Sequence, residues 1–133
     1  MKTANDGEKV VEVRATDLFV ETGLYYLWAR GKRRPCIMSC GQDGPDGILM
    51  FTTAAAARRY LESLAEYRPT IHVEDWPIRF VDVTNLPFFF RKWKKFRYAI
   101  FPRVTDLAHQ VFQTRDLIDL SRALSAALEA SAA

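Results

Sequence analysis

A single α+β domain, with a mainly antiparallel or mixed sheet and helices packed on one face, is the architecture this sequence predicts. Three observations point to it. The chain has 133 residues, a one-domain length that lets about two thirds of the unfolded surface be buried. Short β-branched and aromatic runs are joined by hairpin-length turns, and three or four helical segments are interleaved with them without a regular βα alternation. No internal repeat, low-complexity tract or Gly/Ser/Pro linker divides the chain. The domain is therefore expected over 9–130, with 1–8 and 131–133 as flexible ends.

Val10, Val11 and Val13 suggest a first strand, and 15–22 a short helix capped by Thr16 or Asp17 and closed by Gly23. Leu24 to Ala29 reads as an aromatic-rich strand. The basic turn 30–34 leads from it into a partner strand from Pro35 to Cys40, which makes a hairpin. The loop 41–47 carries three glycines and a proline, a strong turn signal, and delivers Ile48 to Phe51 as the third strand of a meander. Thr52 or Thr53 then caps a helix with Ala57, Tyr60, Leu61, Leu64 and Ala65 on one face, ending near Pro69.

Ile71–Glu74 and Ile78–Val83 both read as strands. Thr84 or Asn85 caps a second helix with Pro87 in its first turn, where the missing N–H does no harm. Leu86, Phe89, Phe90, Trp93 and Phe96 fall at three- and four-residue steps in it. Phe89, Trp93 and Phe96 are expected in the core, with Lys92 and Lys95 projecting away. Arg97 to Phe101 returns to strand character, His109 to Phe112 adds a short edge, and Thr114 caps a last helix over 115–130.

Apolar residues make up 49% and charged residues 26% of the chain, the balance of a folding domain and not of a disordered segment. No apolar run approaches the ~20 residues that span a bilayer, and the first eight residues carry no signal-like apolar stretch, so a cytoplasmic protein is expected. The net charge is only +3, but its distribution is uneven. Arg30, Lys32, Arg33 and Arg34 fill one turn, and Arg91, Lys92, Lys94, Lys95 and Arg97 fall within one short segment. Those nine of the nineteen basic residues have no acid among them, and the remainder balances to −6. Such clusters steer acidic partners, with an effect that fades over a Debye length of ~8–10 Å.

Catalytic or metal chemistry finds less support. Cys36 and Cys40 would lie roughly 13 Å apart on an extended strand, beyond disulfide reach. Their strand setting is unlike the tight knuckle that a zinc cysteine pair occupies. His72 and His109 stand in different elements. On a strand His72 would share a face with Glu74, the ordinary arrangement of an exposed edge. The loop glycines lack the Lys-Ser/Thr end of a phosphate-binding motif and precede a strand, so a tight turn accounts for them. No catalytic residue, metal ligand or cofactor is assigned.

Ile48-Leu49-Met50-Phe51-Thr52, followed by the alanine-rich helix Thr53 to Tyr67, resembles the strand–Phe-Thr–helix block in the N-terminal domain of proteins related to the type III secretion enhancer SseB. Tyr98 to Pro102 is similar to the strand-to-Pro segment that follows in that family, although Phe101-Pro102 stands where the family shows Asn-Pro. The resemblance implies an α+β, non-catalytic, protein-associated module and carries no site residue with it.

The expectation is thus a small non-enzymatic accessory protein. It would present Arg30, Lys32, Arg33, Arg34, Arg91, Lys92, Lys94, Lys95 and Arg97 to an acidic protein partner. A nucleic-acid binder using the same cations, with Trp93 or Tyr98 stacking on bases, is the alternative. An enzyme or metal-binding protein ranks third. A membrane surface ranks below protein and nucleic acid, because the basic helix lies between two strands and its detachment would disrupt the sheet. The oligomeric state is left open.

Overall fold

The apolar run from Ile48 to Phe51 lies at the centre of the molecule, with every side chain buried. The computed structural model describes residues 2–3, 11–12, 18–39, 44–102 and 110–132. Val10, Val13, Thr16, Asp17, Cys40, loop residues 41–43 and His109 lie outside them. Nine strands are described: β1 (Lys2–Thr3), β2 (Val11–Glu12), β3 (Gly23–Ala29), β4 (Arg34–Pro35), β5 (Ile37–Ser39), β6 (Asp46–Phe51), β7 (Ile78–Asp82), β8 (Tyr98–Phe101) and β9 (Gln110–Gln113). The helices described in full are α1 (Ala54–Tyr67), α2 (Leu86–Lys92) and α3 (Thr114–Ala132), with a 3-10 turn at Val73–Asp75.

β1 and β2 pair with each other. The other seven strands form one mixed sheet. Tyr25 of β3 is opposite both Phe51 of β6 and Phe80 of β7, so those two strands flank β3 on its two edges. β8 lies parallel to β6 and antiparallel to β9, and every other pairing in the sheet is antiparallel. The expected strand from Pro35 to Cys40 is split at Cys36. β4 pairs with the end of β3 and β5 with the start of β6. Between them the Cys36 N–H donates to the Leu27 carbonyl at 2.9 Å while its own carbonyl accepts from Leu49 N–H at 3.0 Å.

The α+β class and the mixed sheet are as expected, in one compact domain, but the helices cover both faces and not one. Side chains alternate across a strand. Ile48 and Met50 therefore join Leu24, Ala99, Phe101 and Phe112 under Leu86 and Phe90 of α2 and Leu117 of α3. Leu49 and Phe51 join Leu27 under Ala57 and Leu61 of α1. A strand with no polar position in its centre requires cover on both sides, which one layer of helices does not supply.

Several local expectations change for identifiable reasons. Ile71–Glu74 is not a strand. A 3-10 turn occupies Val73–Asp75, and its three-residue period brings both Val73 and Trp76 onto the smaller cluster. Of the short helix expected over 15–22, Leu18 is helical and 19–22 form a turn in which Thr22 has φ 58° and its N–H donates to the Phe19 carbonyl at 3.1 Å. Asn85 precedes α2 without capping it through its side chain. The carboxylate of Asp82 accepts from both the Asn85 backbone N–H (2.9 Å) and its side-chain amide (2.8 Å). Gly47, expected as a turn glycine, lies inside β6, where a Cβ would stand 2.8 Å from the Tyr98 carbonyl oxygen of β8. Thr53 does cap α1, its hydroxyl accepting from Ala56 N–H at 3.1 Å.

Candidate functional site

The basic helix is shorter than its sequence suggests. α2 ends at Lys92, and 93–97 follow as a turn into β8, so Lys94, Lys95 and Arg97 lie beyond the helix. Phe90 is the ring sealed in the core at 3% exposure, while Phe89, Trp93 and Phe96 pack against the same cluster half-buried. Phe88, by contrast, is 67% exposed.

Half-burial gives these rings a second role. Trp28, at the end of β3, meets Trp93 edge-on at 6.2 Å between centroids. The Arg79 guanidinium, from the neighbouring β7, lies 4.1 Å from the Trp28 ring centre, and the Lys92 ammonium lies 5.5 Å from that of Trp93. Beside this pair, Phe96 receives the Lys95 ammonium at 5.0 Å and the Arg34 guanidinium at 6.0 Å. Arg91 stands 5.5 Å from the exposed Phe88 ring. Each contact is worth ~0.5–1 kcal/mol at an exposed site. Their larger effect is to restrict long side chains that otherwise lose up to ~2 kcal/mol of rotamer freedom when ordered.

The two basic clusters, separate in sequence, thus meet at one ring. Arg34 comes from the turn 30–34 and Lys95 from the segment after α2, and both address Phe96. Arg30, Lys32, Arg33, Lys94 and Arg97 are exposed. The turn is itself well defined. Lys32 and Arg33 N–H donate to the Ala29 carbonyl at 3.2 and 2.8 Å, and Arg33 adopts φ 54°. Among the described residues none of the nine cations forms an ion pair with a carboxylate.

Arg79 and Trp28 are the members that sequence reasoning missed. The available signal was alternation: on β7 Arg79 points to the face opposite Ile78 and Phe80, and on β3 Trp28 shares the face of Leu24 and Tyr26. Only the β3–β7 register, with Arg79 opposite Tyr26, puts the guanidinium within reach of the indole.

Cys36 is half-buried against the smaller cluster. Burial pushes its thiol up to about 11, while the nearby Arg34 and Lys32 charges pull the other way. Burial likewise raises the Tyr60 phenol, with the Cys36 side chain adding to the shift. A thiol held protonated is a poor nucleophile and a poor metal ligand. Among the described residues no group of three or more His, Cys, Asp or Glu side chains is placed to hold a metal ion. His72 and Glu74 are exposed, and the strand alternation that would have paired them is absent. No helix among the described residues is long and apolar enough to cross a membrane.

Fold and surface together define an α+β domain with a cation-lined, ring-supported face. No family model, no curated protein and no solved structure matches the chain.

Proposed function

We propose that this protein is a non-enzymatic binding module that docks an acidic protein surface on the cations gathered around Trp28, Trp93 and Phe96. The observation that carries the proposal is the sharing of the Phe96 ring by Arg34 and Lys95, which joins two sequence-distant basic clusters into one surface. Rings that restrict the cations lower the ordering cost of binding, and complementary charge raises the rate of encounter. The indole faces favour a protein partner over nucleic acid. Arg79 lies over one face of Trp28 and Lys92 beside Trp93, so each cation competes with a base for its ring.

Titration of a fluorescent glutamate-rich peptide tests this function. Binding should weaken as salt rises and fall at least about tenfold in a Lys92→Glu/Lys95→Glu variant. Equal binding by a folded charge-reversed variant, or binding indifferent to salt, would refute the assignment. Nucleic acid has one observation of its own, the exposed Phe88 beside Arg91. A labelled single strand that binds with a log–log salt slope near −0.7 per phosphate, and loses that binding in Phe88→Ala, would favour it.

A further inference from the structure

Turn 30–34 also borders a second feature, at the open end of the smaller core cluster. There an open cleft of about 550 Å³ is lined by Arg30, Lys32 and Arg34 of the turn, by Ala29 and Cys36, and by Trp76. Its origin is steric. Two sheet side chains that line it, those of Ala29 and Cys36, are small, and α1 covers Leu27, Leu49 and Phe51 farther along the sheet. The 3-10 turn brings Trp76 up as the opposite wall, held by its N–H donating to the Val73 carbonyl at 3.1 Å.

We infer that this cleft is a binding site for an aryl phosphate monoester, with the ring against Trp76 and the phosphate among Arg30, Lys32 and Arg34. Its volume falls within the ~300–1,000 Å³ of small-ligand sites, which pair apolar walls with a few convergent polar groups. Three cations face one rim carboxylate, Asp75. A phosphate monoester carries about −1.5 to −2 charges at pH 7 and offers three acceptor oxygens, a better match than the single charge of a carboxylate. Arg34 is pre-positioned, its guanidinium donating to the Pro35 carbonyl at 3.1 Å. Arg34 and Lys32 already favour negative charge at the Cys36 sulfur, which lines the same cleft.

The site shares Arg34 with the surface around Phe96, but its test varies only Arg30 and Lys32 and leaves Arg34, Lys92 and Lys95 intact, so either assignment can fail while the other stands. The experiment follows backbone amide shifts of the full chain at low salt during titration with phenyl phosphate, and with inorganic phosphate and benzyl alcohol in parallel. A tyrosine peptide, phosphorylated and unphosphorylated, distinguishes a partner's side chain from a free small molecule as the source of the group. Phenyl phosphate should shift amides over 29–37 and at 75–76. It should bind more tightly than inorganic phosphate or benzyl alcohol, and weaken at least about tenfold in Arg30→Glu/Lys32→Glu, whose positions are exposed and tolerant of substitution. Trp76→Phe, which keeps a ring in the wall, should retain binding. The inference is overturned if phenyl phosphate leaves those amides unmoved at 10-fold the ~1 mM range of weak ligands, binds no better than inorganic phosphate, or binds the double variant equally.

Discussion

On one face of the sheet, α2 and α3 close over Ile48, Met50, Ala99, Phe101 and Phe112. On the other, α1 is the one described helix over Leu27, Leu49 and Phe51, strand residues one step away from the first set, with Val73 and Trp76 of the 3-10 turn beside it. The larger cluster extends outward into half-buried rings, and at its margin those rings hold cations. The smaller cluster stops short of the sheet's end and leaves the cleft beside Trp76. Completeness of cover therefore separates two kinds of basic surface. Where apolar packing continues to the edge, the charges are spread over a ring-supported face, and where it is interrupted they border a concavity.

Substitutions that compare the faces sharpen or break this contrast. The largest effect belongs to Phe112→Ala, which removes a sealed ring from the larger cluster. It should cost about 3–5 kcal/mol in a denaturant melt, and a loss below about 1 kcal/mol would show that this face is loosely packed. Leu61→Ala, the matching deletion under α1, should cost about 2–3 kcal/mol, the low end of the usual range, because a thinner layer relaxes more readily. If Leu61→Ala proved the more damaging of the two, the asymmetry between the faces would be wrong.

Trp93→Ala should cost about 2 kcal/mol, less than the ~3–5 kcal/mol of a fully sealed tryptophan, because its indole is half-buried. A value at the top of that range would place the ring in the core and remove it from the cation surface. Thr53→Ala, which deletes the α1 cap, should cost about 1 kcal/mol by thermal melting and lower helical signal on that face first. Lys95→Ala should change stability by under about 0.5 kcal/mol while weakening acidic-peptide binding, so a stability change without a binding change would count against the surface.

Much of the fold was legible because local chemistry and tertiary packing agree. Thr53 with the alanine run behind it, Leu24 to Ala29, and Thr114 onward all form the elements their patterns specify. The number of helical layers was legible too, in Ile48-Leu49-Met50-Phe51, where an unbroken apolar run requires cover on both faces. The one-face expectation ignored that requirement. Ile71–Glu74 misled because a β-branched run of four residues does not distinguish a strand from a turn that packs two side chains three apart. The candidate site was half legible. Charge clustering marked the cations, but their meeting at Phe96 and the arrival of Arg79 over Trp28 depend on strand register, which contacts between distant segments decide.

The break at Cys36 has a mechanical consequence for the cations that follow Ala29. Leu27, Cys36 and Leu49 meet through their backbones, so the β4–β5 segment is held by two different strands, one on each side of a single residue. A slip of one position would mismatch both ladders together and turn Pro35 and Cys36 to the wrong sides of the sheet, a double penalty that a simple hairpin does not carry. The junction works as a dowel: the most highly charged turn in the chain, where mutual repulsion pushes hardest toward fraying, is anchored at its base against sliding in either direction.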